Sequence, residues 1–208
     1  MAVSALILSI SFLVSSISAL NTLAALPLPD ELKHAGQYQF LTNIALSLST
    51  AYAAINIYHS LTGKASTLKE YSSATVLPLN FIVSLVYWSL RICFTNLIIA
   101  DNVEKYIPLS LDLKIHLLPL LYTALDYFLL MDPWSIDSKT AYIIVSSLAI
   151  LYWAWLHLLM DESSSYPYPF LNVSTGNRIL IFVLISLIAF ATFLSAKRLH
   201  PARKLKNF

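Results

Sequence analysis

The sequence has little charge, almost no glycine and a single cysteine. Charged residues make up 12% of its 208 positions, against about 25% in a typical soluble domain. A net charge of +2 is too small to indicate nucleic acid as a partner, and Cys93 alone cannot form an internal disulfide. The three glycines fall between apolar runs, which excludes glycine-based helix dimer motifs. These absences exclude an ordinary soluble domain.

Apolar sequence is what the chain has in abundance: 58% of its residues are hydrophobic, and the mean hydropathy is +0.70. Runs of about 20 apolar residues can cross a bilayer as helices. We therefore predict an all-α, polytopic membrane protein with six transmembrane helices in one bundle. The single domain covers residues 1–208, with spans near 3–25, 38–58, 75–100, 113–131, 141–160 and 179–196.

The ends of the spans set the expected topology. Small residues after Ser16 would suit a signal peptide, but no basic residue precedes the first run, so we expect a retained span. The Lys and Arg distribution places both termini in the cytoplasm. The endoplasmic reticulum is the expected membrane, and the sequon Asn172-Val-Ser174 then lies on the non-cytoplasmic side.

The fourth run carries Lys114, His116, Pro119 and Asp126. An ionisable side chain at the centre of a membrane helix costs about 2.5–3.5 kcal/mol on insertion, so it marks a functional site by default. Imidazole can act as an acid or a base near neutral pH. Proline cannot donate a helix hydrogen bond, so Pro119 frees the carbonyl of Ile115 beside His116. We expect a small polar pocket here.

The expected depth in the bilayer places other polar residues in the same leaflet as His116. Thr42 lies about one turn inside the second run, which crosses in the same direction as the fourth. Arg91 and His157 are expected in this leaflet as well. Each has a structural interpretation: Thr42 could pack in a helix seam, and His116 could be a satisfied interior histidine. Arg91 could pair with a carboxylate such as Asp101, and His157 fits an interfacial aromatic belt.

The functional interpretation combines a hydroxyl with a base. A nucleophilic hydroxyl needs a base within about 2.6–3.2 Å, and Thr42 and His116 supply these groups for acyl transfer on a lipid ester, without metal or cofactor. Asn43, Arg91 and His157 are weaker candidates for support or substrate binding. No carboxylate clearly orients His116, and helical N–H groups offer no evident oxyanion hole. The expected partners are the lipid ester and bilayer lipids, and the sequence identifies no protein partner.

Four short elements carry a resemblance: residues 36–42 (GQYQFLT), 115–119 (IHLLP), 153–157 (WAWLH) and 168–171 (YPFL). In this order they resemble the androgen-induced gene 1 / androgen-dependent TFPI-regulating protein family, over nearly the whole chain. The resemblance implies an intramembrane threonine hydrolase that cleaves fatty acid esters of hydroxy fatty acids. The family's catalytic threonine and histidine correspond to Thr42 and His116. The chain departs from animal members at Ala45, where they carry an acidic residue.

Two alternatives to an esterase stay open from the residues. In a transporter or binding scaffold, Arg91, His116 and Asp126 would line a path for protons or for a carboxylate ligand. In a structural subunit, these residues would matter for stability alone.

Overall fold

The computed structural model describes residues 2–94, 107–161 and 165–201, and within these ranges it contains helices and no strand. The helices, in chain order, are α1 (Ala2–Ala25), α2 (Asp30–Lys33), α3 (Leu41–Thr62), α4 (Ser66–Cys93), α5 (Leu109–His116), α6 (Leu118–Leu125), α7 (Ser138–Leu159) and α8 (Thr175–Leu199). A π-helical turn, Asp126–Leu130, continues α6.

The predicted all-α, polytopic membrane fold is confirmed. Among the described residues, five segments are long and apolar enough to cross a bilayer: α1, α4, Leu109–Leu130, α7 and α8. The remaining long helix, α3, has 22 residues, but its buried face is polar and includes Ser49, Tyr52 and Asn56. A sixth span at α3 therefore stays a prediction.

The third predicted span corresponds to α4, which begins nine residues before the predicted run. Its first turns, from Ser66, are polar in sequence, yet tertiary contacts hold them: Lys69 is buried, and Glu70 accepts hydrogen bonds from the N–H groups of Ser135 and Ile136. α4 ends at Cys93, and residues 95–100 of the predicted run lie outside the described residues.

The fourth span is interrupted at Leu117, between α5 and α6. Pro119 cannot donate to the carbonyl of Ile115, so the helix opens next to His116. α4 closes the gap, because the Ser84 hydroxyl donates to the His116 carbonyl and the Asn80 amide donates to the Pro119 carbonyl at 3.4 Å. Polar side chains of α4 thus lie beside the break, and they bond the His116 and Pro119 carbonyls. The small polar pocket expected at the Ile115 carbonyl stays a prediction.

The helices do not pack equally tightly. α1, α3 and the α5–α6 segment share a core that includes Phe12, Leu46, Ile115 and Tyr122. By contrast, the residues of α7 that are buried are Ala141, Val145 and Leu156. The exposed apolar surface of α7 suits contact with lipid tails, which are as apolar as leucine. The loose packing of α7 leaves space between it and the α3–α4 pair.

A second buried polar cluster lies where α6 ends. The Asp126 carboxylate is fully buried and accepts a hydrogen bond from the Tyr52 hydroxyl. Lys69 Nζ lies 4.0 Å from the same carboxylate oxygen. These three residues connect α3, α4 and the π-helical turn.

Replacing Asp126 with Asn should destabilise the bundle by about 3–5 kcal/mol, because Lys69 would keep a buried charge without its partner. The measurement is thermal unfolding of the protein in detergent. The double variant Lys69→Met/Asp126→Asn removes both charges and should recover most of the lost stability. An Asp126→Asn melting temperature equal to that of the parent would show that the pair does not support the fold.

Candidate functional site

An apolar cavity of about 660 Å³ lies between α3, α4, α7 and α8. Along α4 its lining runs from Leu90 to Thr75, which is about 22 Å at 1.5 Å per residue. The volume falls within the range of about 300–1,000 Å³ that is typical of small-molecule pockets. Most of the lining is aliphatic or aromatic. Thr42 and Tyr87 lie at the end where α3 begins and α4 ends, whereas Thr75 and Ser186 lie farther along the cavity.

Thr42 differs from the other described Ser and Thr residues of this lining. The hydroxyls of Thr75 and Ser186 each donate to the backbone carbonyl four residues earlier, at 2.8 Å and 2.7 Å. Thr42 is the second residue of α3, so no helical carbonyl precedes it by four residues. Its side chain is buried and lines the cavity. The Thr42 hydroxyl is therefore not taken up by a helix carbonyl, unlike those of Thr75 and Ser186.

The first backbone N–H groups of α3 also lack a helical carbonyl as partner. A helix gives its first amides no intrahelical partner. The N–H groups of Asn43 and Ile44 reach the Phe40 carbonyl, but those of Leu41 and Thr42 make no backbone hydrogen bond in the described structure. These two N–H groups lie in the first turn, where the Tyr168 phenol takes the place of a helical carbonyl. The expectation that helical N–H groups offer no evident oxyanion hole here stays a prediction.

His116 is buried and belongs to a network with Asp112, Arg91 and Tyr87. Its Nδ1 lies 2.8 Å from Asp112 Oδ1, while Arg91 Nη1 forms an ion pair with Asp112 Oδ2 at 2.5 Å. The Tyr87 ring stacks on the imidazole, with 3.3 Å between ring centroids, and its hydroxyl accepts a hydrogen bond from Arg91 at 2.7 Å. Among the described residues, His116 Nε2 makes no hydrogen bond.

This geometry fixes the chemistry available to His116. A carboxylate beside Nδ1 holds the proton on that nitrogen and leaves the Nε2 lone pair to accept another proton. Asp112 thus supplies the orienting carboxylate that the sequence analysis missed. The signal was present, because residues four apart share a helix face, but the predicted span began one residue after Asp112.

Thr42 and His116 lie at the same end of the bundle, and Tyr87 connects their surroundings. The Tyr87 side chain lines the cavity together with Thr42, while its ring covers the imidazole of His116. No hydrogen bond joins Thr42 to His116 in the part of the chain that the structure describes. Catalytic hydrogen bonds often become short only when substrate is bound, so the lack of a hydrogen bond between Thr42 and His116 here is compatible with a catalytic pair.

The other predicted site residues, Arg91, Asn43 and His157, lie in three different surroundings. Arg91 pairs with Asp112, whereas Asp101 lies outside the described residues. The Asn43 amide donates to the Gln37 carbonyl at 2.8 Å and so supports the turn before α3. His157 is exposed, and its Nδ1 lies 3.2 Å from the Trp153 carbonyl. Of the predicted site residues, Thr42 lines the cavity, whereas His116, Arg91, Asn43 and His157 do not.

Asp126, which the transporter alternative requires, also does not line the cavity. It belongs to the separate cluster with Tyr52 and Lys69. His116 is joined instead to Asp112 and Arg91. The described residues therefore place Asp126 and His116 in two polar clusters rather than along one path.

These features define the class as a multi-pass α-helical membrane protein with a polar site at one end of an internal apolar cavity. The chain belongs to the FAR-17a/AIG1-like protein family, whose sequence model matches residues 3–201. This confirms the resemblance drawn from the four short elements.

Two relatives agree with this membership. The UPF0641 membrane protein YHR140W of Saccharomyces cerevisiae is 33% identical, over 84% of this chain and 81% of the relative. The UPF0641 membrane protein PJ4664.05 of Schizosaccharomyces pombe is 27% identical, over 81% of this chain and 77% of the relative. No solved structure matches the chain. The names of both relatives describe membrane proteins.

Filling the cavity should prevent an apolar ligand from entering it. Ala149 of α7 lines the cavity, so we expect Ala149→Trp to reduce the binding of a fluorescent fatty acid by about tenfold or more, since a ligand needs the enclosed apolar volume. Fluorescence titration in detergent measures this. The matched control is Ile143→Trp, at an exposed position of the same helix. Equal binding by both variants would show that the probe binds elsewhere.

Proposed function

We propose that this protein is an intramembrane lipid ester hydrolase in which Thr42 is the nucleophile and His116 is the general base. The observation that carries the proposal is that Thr42 lines one end of the cavity, while His116 lies behind Tyr87, which lines the same end. The Thr42 hydroxyl donates to no helix carbonyl, and Asp112 holds His116 with its Nε2 unbonded among the described residues. A hydroxyl, a base and a group that orients the base form the constellation that acyl transfer needs.

The first half of the reaction acylates the threonine. Thr42 Oγ1 attacks the ester carbonyl carbon, its proton passes to His116 Nε2, and the carbonyl π electrons move to the oxygen. When this tetrahedral intermediate collapses, the carbon–oxygen bond to the alcohol breaks. His116 then gives its proton to the departing alkoxide, so the alcohol leaves neutral and the acyl group stays on Thr42.

The second half releases the acid. Water attacks the acyl carbon while His116 Nε2 takes the water proton, and that proton returns to Thr42 Oγ1 as the acid departs. Asp112 stabilises the imidazolium in both halves, because its carboxylate accepts from Nδ1–H. Arg91 holds the other carboxylate oxygen and so fixes the orientation of Asp112.

The shape of the cavity supports a substrate with a long apolar chain. A volume of about 660 Å³ and a length of about 22 Å along α4 suit a lipid with a long apolar chain. The family resemblance narrows the proposed class to fatty acid esters of hydroxy fatty acids. The endoplasmic reticulum, with both termini in the cytoplasm, is the membrane and orientation that we propose.

The nucleophile and the base can be tested together by fluorophosphonate labelling. Thr42→Ala should abolish labelling, and both Thr42→Ala and His116→Ala should lower lipid ester hydrolysis by at least about 10³-fold, since both act in the bond-making step. Thr75→Ala and His157→Ala are the controls: Thr75 lines the same cavity with a bonded hydroxyl, and His157 is exposed. Unchanged labelling of both Thr42→Ala and His116→Ala would contradict the assignment.

Asp112→Asn tests the orienting carboxylate. An amide keeps the shape but cannot stabilise the imidazolium, and the corresponding change in serine hydrolases costs about 10⁴-fold in kcat. We expect a loss of about 10²–10⁴-fold in kcat, with the protein still folded by thermal unfolding. The control is Asp137→Asn, which keeps a good N-cap at the start of α7. A full rate with Asp112→Asn would remove Asp112 from the mechanism.

A further inference from the structure

We infer that Tyr168 is a further catalytic residue, whose hydroxyl stabilises the oxyanion formed when Thr42 attacks the ester. This inference rests on the proposed function and adds to it the group that receives the developing charge. Preorganised donors at that position usually supply the largest single contribution to catalysis of acyl transfer. Neither Thr42 nor His116 can provide it with its side chain, since both take part in the proton transfer.

The packing of Tyr168 fixes its ring against the start of α3. The ring meets Phe40 edge to face, with 5.9 Å between centroids and an interplanar angle of 75°. It also stacks on Phe170, with 5.4 Å between centroids. Phe40 is the residue just before α3 begins. Tyr168, Phe170 and Thr42 all line the cavity. The phenol therefore borders the part of the cavity in which a substrate carbonyl must lie for attack by Thr42.

The segment that carries Tyr168 is held by a buried arginine. Arg178 of α8 donates to the carbonyls of Leu171 and Val173, at 2.9 Å and 2.7 Å, and to the Tyr166 hydroxyl at 2.6 Å. Its guanidinium also lies 3.8 Å from the centre of the Tyr166 ring. These bonds fix the loop before any substrate arrives, so the Tyr168 hydroxyl needs little reorganisation during the reaction.

The Tyr168 hydroxyl interacts with the Thr42 hydroxyl and with the backbone at Leu41 and Thr42. The N–H groups at these two positions make no backbone hydrogen bond among the described residues. The other tyrosines nearby are engaged: Tyr152 donates to the Gln39 carbonyl at 2.8 Å, and Tyr87 accepts from Arg91. The amide donors at the start of α3 hold the Tyr168 oxygen, so an ester oxygen beside Thr42 would meet the phenol O–H.

The protonation state of Tyr168 suits this role. Burial raises the pKa of the Tyr168 phenol, and hydrogen bonding from Thr42 acts in the opposite direction without cancelling it. The phenol thus keeps its proton at neutral pH and can donate a hydrogen bond. In the attack step the electron pair of the carbonyl moves onto oxygen and the Tyr168 proton stays on the phenol, so the step needs no additional proton acceptor.

The test is Tyr168→Phe in the full-length protein, which removes the hydroxyl but keeps the packing on Phe40 and Phe170. We expect kcat to fall by about 10²–10³-fold with KM nearly unchanged, because the donor acts on the transition state. Tyr58→Phe is the matched control, since Tyr58 is an exposed tyrosine that does not line the cavity. It should hydrolyse the ester at the parent rate.

Two inhibitors distinguish a catalytic role of Tyr168 from a role in shaping the cavity. A long-chain trifluoromethyl ketone forms a tetrahedral adduct with an oxyanion, whereas the matching dialkyl ether fills the cavity without one. Tyr168→Phe should weaken the ketone by about the same factor as kcat/KM and leave the ether unchanged. This ratio of affinities does not depend on how much of the variant is folded.

Two results would overturn the inference. One is equal weakening of ketone and ether, which would make Tyr168 a residue that only shapes the cavity. The other is a parent-like kcat and ketone affinity for Tyr168→Phe while Thr42→Ala and His116→Ala are inactive, in which case the proposed function survives without Tyr168. If Thr42→Ala and His116→Ala are both active, the proposed function itself fails.

Discussion

The arrangement of the site depends on the break in the fourth span at Leu117. Because Pro119 cannot complete the helix, α5 and α6 meet at an opening that α4 must satisfy through Ser84 and Asn80. The same contact brings the end of α4 against α5, so that Arg91 reaches Asp112 and Tyr87 covers His116. A continuous helix would have no unsatisfied carbonyl to hold α4 in this position.

The two polar clusters of the bundle serve different needs. Asp126, Tyr52 and Lys69 form a cluster without access to the cavity, which suits a structural connection between helices. Asp112 and His116 form the other, beside the end of the cavity where Thr42 lies. A buried charge that is paired costs less than one left alone, so pairing lets both clusters exist in an otherwise apolar bundle.

Much of the fold follows from the sequence, because apolar runs of bilayer length have few other uses. Thr42 and His116 could be chosen from depth alone, since both lie near the same end of parallel segments. Asp112 and Tyr168 could not. Asp112 lies just before the predicted start of its span, whereas α5 begins at Leu109, directly after Pro108. Tyr168 approaches Thr42 through a loop fold that depends on Arg178, a contact with no periodic signal in the sequence.

The polar face of α3 has a consequence for how the protein is made. A helix that carries Ser49, Tyr52 and Asn56 on one side is a poor candidate for entering lipid by itself. α1 is synthesised before it and α4 directly after it, and both pack against α3 in the folded chain. The Asn80 amide of α4 donates to the Ser49 hydroxyl at 2.8 Å. We therefore expect α3 to reach its place in the bundle together with α1 and α4 rather than as an independent segment.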